Sequence, residues 1–186
     1  VENRRDRARK QSKGGDAEEK KILAVTEKVL AQLEDSIPVR TMALDEEERA
    51  LLEPLALLTG KPVLFVANVA EEHAKGDLDH PLVAQVAELA AKQGAEVVAI
   101  SAAIEAEISA LDPADRPEFL QSIGLEEPGL NRLIRKAYAL LDLLTYFTAG
   151  KKEVRAWTIR RGTKAPGAAG KIHSDFERGF IRAAVT

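Results

Sequence analysis

The chain has 186 residues, 45% of them apolar, which is enough for a real core in one domain or two small ones. It has no cysteine, which excludes disulfides and thiol chemistry, and its three histidines, His73, His80 and His173, lack metal-ligand spacing, which argues against a dedicated zinc site. Net charge is −3, yet residues 1–13 balance at +4, residues 149–186 at +6 and the stretch between at −13, so two basic ends flank an acidic body and suit either a polyanion contact or a solvated face.

Residues 1–13 are polar and charged, and Gly14-Gly15-Asp16 is a turn with Asp16 as a helix N-cap. Ile22, Val25, Val29 and Leu33 then recur at helical spacing over 17–34. Two charged helices around a glycine turn predict an antiparallel αα-hairpin with a narrow, coiled-coil style seam. The first arm has little seam of its own and the sequence begins within it, so we expect natural sequence upstream.

Ser36-Ile37-Pro38 breaks the second helix. Asp45 to Glu48 open another, with acid where the helix dipole favours it, and Pro54 should kink or divide it before Gly60. Residues 62–67 form a continuous apolar run, as in a strand buried on both faces of a parallel sheet. His80-Pro81 opens a helix to about Lys92, and Glu96 to Ile100 is a second buried strand. Strand, helix, strand is a βαβ crossover, which implies a doubly wound α/β sheet.

Helices are expected over about 103–110, 113–122 and 128–141. Residues 146–148 and 154–159 read as strands bracketing Gly150, and residues 162–170, rich in glycine, alanine and proline, as a loop. A domain boundary is expected near residue 145.

In open α/β sheets, ligands bind beyond the carboxyl ends of the strands. Two segments sit there: Asn68-Val69-Ala70-Glu71 and Ser101-Ala102-Ala103-Ile104-Glu105. An Asn amide offers a donor and an acceptor, which can pair with a purine N7 and its exocyclic group. The turn at Ser101-Ala102 should turn backbone N–H groups toward the base. The alternative for Asn68 is a simple turn cap, and for Glu71 surface charge.

The two segments resemble the base-recognition motifs of P-loop GTPases, usually N-K-x-D and S-A-K. There the acid accepts from guanine N1–H and its 2-amino group, and the lysine stem lies along the base. Here Glu71 is one methylene longer and Val69 replaces the lysine, which weakens selection of guanine and leaves adenine the better fit. N-V-x-E is the hallmark of the YchF-type (Obg-like) family, a group of P-loop ATPases and GTPases. Residues 57–63, Gly124-Leu125-Glu126, 144–150, 153–159 and 172–182 also resemble that family.

The resemblance implies an α/β P-loop NTPase G-domain part with a parallel sheet, a helical coiled-coil insertion and the start of a β-grasp TGS domain. It divides the chain into the end of the insertion at 1–36, the C-terminal part of the G domain at 37–144 and an incomplete TGS domain at 145–186. It implies a cytoplasmic, ribosome-associated protein that hydrolyses ATP, GTP or both with Mg2+. Asn68, Val69, Glu71, Ser101, Ala102 and Ala103 would hold the purine. The alternative is an RNA- or ribosome-binding module in which the nucleotide acts only as a conformational switch.

No G-x-x-x-x-G-K-[ST] loop occurs in the 186 residues, so the phosphate-binding half and the Mg2+ ligands are expected outside them, and the chain alone should not hydrolyse nucleotide. Arg155, Arg160, Arg161, Lys164, Lys171, Arg178 and Arg182 are candidate RNA-phosphate contacts, or a hydrated face. Trp157 and Phe147 are expected in a core rather than stacked on bases. His173 beside Asp175 suggests a turn or core role rather than a catalytic pair. No DNA partner is expected, and no apolar run approaches the roughly 18 residues of a membrane helix.

Overall fold

The computed structural model describes residues 1–75 and 80–185. It divides into two compact units, Val1–Phe65 with Leu78–Val97 and Val66–Asp77 with Val98–Thr186. The chain is α/β, with β1 (Leu64–Asn68) and β2 (Glu96–Ile100) paired in a parallel sheet.

In the first unit, α1 (Glu2–Gln11) leads through a short turn to α2 (Ala17–Glu34). Gly15 takes φ +91°, a left-handed conformation that costs glycine little. Asp16 then caps α2, its carboxylate accepting from the N–H groups of Glu18 and Glu19. Ion pairs Arg4–Glu19 and Arg9–Glu27 join the two helices. Ala8 is the one buried residue of α1, so most of the α2 stripe looks elsewhere. Val25 and Val29 pack with Val39, Met42, Leu44 and Leu52, which makes the stripe part of a globular core rather than only a two-helix seam.

The break after α2 has a specific cause. Ser36 sits at φ +62°, the Ser36 N–H donates to the Leu33 carbonyl at 3.0 Å, and the Ile37 N–H donates to that of Gln32 at 2.9 Å. These two bonds satisfy carbonyls that the helix end leaves open. Asp45 and Glu48 form a reciprocal capping box that opens α3 (Glu46–Leu52). Pro54 divides this stretch as expected: the α-helix stops at Leu52 and a single tight turn, Glu53–Leu55, follows.

Helix α4 (Pro81–Lys92) starts where the sequence indicates. The His80 Nδ1 accepts the Leu82 N–H, and Pro81 occupies the first turn, where no N–H is needed. Gly94 ends it at φ +61°.

The second unit holds α5 (Ala102–Ala110), α6 (Arg116–Ser122) and α7 (Gly129–Leu140), with Ala74, Ile104, Ile108 and Leu120 as its small core. Helix α6 begins three residues later than the sequence suggested. Residues 112–115 form a turn closed by the Asp115 N–H on the Asp112 carbonyl, and Pro117 rather than Pro113 lies in the first helical turn. β3 (Leu143–Ala149) and β4 (Val154–Arg160) form an antiparallel hairpin in which Tyr146 faces Trp157.

Two expectations fail here. Residues 165–172 are helical, as α8 (Ala165–Ile172), followed by α9 (Ser174–Arg178). Pro166 suits the first turn of α8, the Tyr146 hydroxyl donates to the Ala168 carbonyl at 2.7 Å, and Gly170 leaves room for the Glu177 side chain. Tertiary contacts thus override the poor helix propensity of two glycines. Phe147 is 71% exposed rather than core, because it points away from the face of β3 that carries Tyr146.

Leu52 is 5% exposed in the first unit's core. Leu52→Ala is expected to lower unfolding free energy by about 2–5 kcal/mol in urea denaturation. The Lys28 ammonium, helped by the Asp45 N–H, holds the Glu48 carboxyl below its ordinary range. A depressed carboxyl contributes stability above its unfolded pKa and loses it as pH falls through the folded value. Lys28→Met should therefore move the Glu48 titration midpoint upward, as followed by side-chain carboxyl NMR.

Candidate functional site

Asn68 is the last residue of β1, and Ser101 immediately follows β2. Neighbouring strands lie about 4.8 Å apart, so the turns that leave their ends are within reach of one short side chain. Asn68 Oδ1 accepts the Ala102 N–H at 3.0 Å. One residue further, the Val69 N–H donates to the Ile100 carbonyl at 2.9 Å and carries the strand pairing past the end of β1.

Ser101 occupies the N-cap position of α5 but makes no side-chain cap bond. The first N–H groups of a helix have no partner within it. Here Asn68, from the other strand, takes the Ala102 N–H and caps α5 across the sheet. The expected role of Ala102 is corrected accordingly: its N–H is occupied by Asn68 rather than turned toward a ligand. Ala103, next in the first turn of α5, keeps an N–H without an intrahelical acceptor by helix geometry.

Asn68, Val69, Ala70, Glu71, Glu72, Ser101 and Ala103 line one open cleft of about 340 Å³. That is the lower end of the range for small-molecule sites, roughly 300–1,000 Å³. Five of the six residues singled out in the sequence meet there, and the sixth, Ala102, is tied to Asn68 through its N–H. The Glu71 side chain is exposed and begins a tight turn, Glu71–His73. Ser101 is 3% exposed, and its Oγ is buried without a protein partner. Buried hydroxyls without partners are uncommon, and this one belongs to a residue that lines the cleft.

With its oxygen engaged, the Asn68 amide has two N–H groups left to give. The geometry fixes which end of the amide faces Ala102, because a backbone N–H requires the oxygen. The site can therefore present donors from Asn68 and Ala103 and an acceptor from Glu71 to a flat polar ligand.

Two supporting side chains escape the motif pattern. Glu105 Oε1 accepts the Gly129 N–H at 2.7 Å and joins α5 to the start of α7. Arg132 donates to the carbonyls of Ala74, Lys75 and Ala99. In the sequence Arg132 is one charge on an amphipathic helix, and nothing in its spacing marks three carbonyl partners. His173 takes the turn role expected of it, its Nδ1 accepting the Asp175 N–H at 3.2 Å. Among the described residues, no group of three or more His, Cys, Asp or Glu could hold a metal ion.

A parallel strand pair with a polar cleft beyond its carboxyl ends defines an α/β protein whose ligand site is built from strand-end turns. The chain belongs to the YchF family, matching its C-terminal portion. The family model YchF-GTPase_C, described as a protein of unknown function (DUF933), matches residues 143–186. The chain is 55% identical over 177 residues to the ribosome-binding ATPase YchF of Escherichia coli O157:H7, covering 95% of this chain and 48% of that protein. It is 45% identical over 183 residues to the ribosome-binding ATPase YchF of Bacillus subtilis (strain 168), covering 98% of this chain and 50% of that protein. The YchF GTPase structure from Schizosaccharomyces pombe superposes with a TM-score of 0.77 at 32% identity, covering 88% of this chain and 43% of that one. The chain thus spans about half the length of the curated relatives it matches.

A Cβ on Gly129 would lie 2.9 Å from Ile100 Cγ2 and 3.0 Å from Glu105 Oε1. Gly129→Ala is expected to displace Glu105 and to cost about 1–3 kcal/mol in urea denaturation, despite the better helix propensity of alanine.

Proposed function

We propose that this chain supplies the purine-recognition part of a ribosome-associated protein that hydrolyses ATP, GTP or both. The observation that carries this reading is the amide of Asn68, a residue that lines the cleft: the Ala102 N–H holds its oxygen, which leaves its two N–H groups to donate. A purine N7 is an acceptor in both adenine and guanine. Asn68 then serves purine recognition without choosing between the two bases.

The choice falls to Glu71 and Val69. Guanine presents N1–H and a 2-amino group that a carboxylate can accept together, whereas adenine has no such donor pair. Glu71 sits one methylene further from the backbone than the aspartate of the guanine pattern, and Val69 supplies no cationic stem. Both features favour adenine relative to guanine. Ser101 Oγ is a candidate further partner of the bound base, being buried and unpaired on a residue that lines the cleft.

The residues that cradle the phosphates and bind Mg2+ are assigned to the remaining length of the relatives, and no catalytic side chain is assigned here. Mg2+ would supply charge neutralisation at the phosphates. Residues 1–36, 37–144 and 145–186 are taken as the end of a coiled-coil insertion, the return to the G domain and the start of a TGS domain. The relatives' names support ribosome binding and an ATP substrate, each carried over as a proposal, and a cytoplasmic location is proposed as the place where a ribosome-binding protein would act.

The basic C-terminal segment is the proposed contact to ribosomal RNA. Arg155 lies over the Trp157 ring at 4.4 Å, which shields one aromatic face and leaves exposed Phe147 the better stacking surface.

In the full-length protein, Glu71→Asp with Val69→Lys is expected to shift the ATP:GTP affinity ratio toward GTP, read by titration with fluorescent mant-nucleotides. An unchanged ratio contradicts this account of base choice. Ribosome binding should weaken as salt rises, because lysine and arginine contacts release counterions from RNA phosphates. A flat salt response in sedimentation assays would remove the electrostatic contact.

A further inference from the structure

Arg132 lies outside both recognition motifs yet hydrogen-bonds to the backbone just after the first and, within β2, just before the second. Its Nη1 donates to the Lys75 carbonyl at 3.2 Å, and its Nη2 to the Ala74 and Ala99 carbonyls, each at 3.2 Å. Ala74 and Lys75 follow the turn that starts at Glu71, and Ala99 lies two residues before Ser101. One planar guanidinium therefore spans the backbone on either side of the cleft.

Arg132 is itself held in place. Glu105, in the first turn of α5, accepts the N–H of Gly129, three residues before Arg132 on α7. Residues three apart lie on one helical face, so the Glu105 contact and the Arg132 side chain act from the same side of α7. The absence of a Gly129 side chain lets α7 approach Ile100, the last residue of β2.

From this we infer that Arg132, seated by Glu105, is a positioning residue that fixes the separation of the Asn68–Glu71 turn from the Ser101–Ala103 turn. The inference rests on the base-site reading above. A rigid fork with several donors can hold three carbonyls in one arrangement, which a flexible point charge cannot. Without it those carbonyls lose their donors and the two turns lose their common reference. Arg132 hydrogen-bonds to backbone carbonyls and does not line the cleft, so its loss affects ground state and transition state alike. That pattern raises KM and leaves kcat in place.

The test uses the full-length protein with mant-ATP and mant-GTP titrations and steady-state hydrolysis of both nucleotides. Arg132→Met should raise Kd and KM for both nucleotides by about tenfold, since small misplacements of binding groups are costly. The ATP:GTP ratio should be unchanged, and kcat should stay within about twofold. Arg132→Lys should recover part of the affinity, because an ammonium can still reach some of the carbonyls.

Wild-type Kd and KM in a folded Arg132→Met protein overturn the inference, as does a loss of kcat at unchanged KM. If Arg132→Met does not fold, Arg132→Lys and Glu105→Met, which removes the acceptor for the Gly129 N–H, carry the test. Raised KM at unchanged kcat in both supports the positioning role, and wild-type KM in both overturns it. Asn68→Ala separates the two levels of the argument. Weakened binding in Asn68→Ala with wild-type binding in Arg132→Met sinks the positioning role alone. Wild-type binding in Asn68→Ala sinks the base-site reading on which it rests.

Discussion

The hydrogen bond from the Ala102 N–H to Asn68 Oδ1, 3.0 Å long, is the contact on which the site depends. It joins two turns that are 34 residues apart in sequence. It also resolves two demands with one side chain. Helix α5 begins with N–H groups that need acceptors, and Ser101 does not cap it. Asn68 supplies that acceptor from the neighbouring strand and, in doing so, keeps its own N–H groups as the donors left to give. An N-cap contact of this type is worth about 1 kcal/mol, so stability and recognition draw on the same amide.

Around that bond the second unit supplies a frame. Glu105 seats the start of α7 against α5, and Arg132 returns from α7 to backbone on both sides of the cleft. These groups are hydrogen-bonded partly away from water, where an unpaired carbonyl is costly, so they resist change in the spacing of the turns. Two side-chain atoms of this frame stay buried without a partner, Ser101 Oγ and Arg132 Nε, and of the two residues Ser101 lines the cleft.

Much of this was legible in the sequence, for reasons that name themselves. Strand β2 is legible to the residue, and α4 from its His80-Pro81 start, because apolar runs and helix starts are local signals. The convergence of Asn68 and Ser101 followed from the rule that crossover strands end side by side. The use of the Ala102 N–H was not legible, since it depends on which end of the Asn68 amide turns inward. Nor was α8, where two glycines and a proline read as a loop until Tyr146 and Glu177 are placed against them. Arg132 escaped for the same reason: its partners are backbone carbonyls, which leave no trace in side-chain patterns. The exposure of Phe147 turns on strand alternation relative to Tyr146, which the aromatic residues alone do not set.

The most direct measurement is an NMR titration of the full-length protein that follows the Asn68 side-chain amide and the Ala102 backbone amide as ATP is added. The account predicts that the Asn68 Nδ2 protons shift with nucleotide while the Ala102 N–H stays protected from hydrogen exchange, its bond to Oδ1 intact. An Asn68 amide that does not respond at saturating nucleotide, or an Ala102 N–H that exchanges freely, would contradict it.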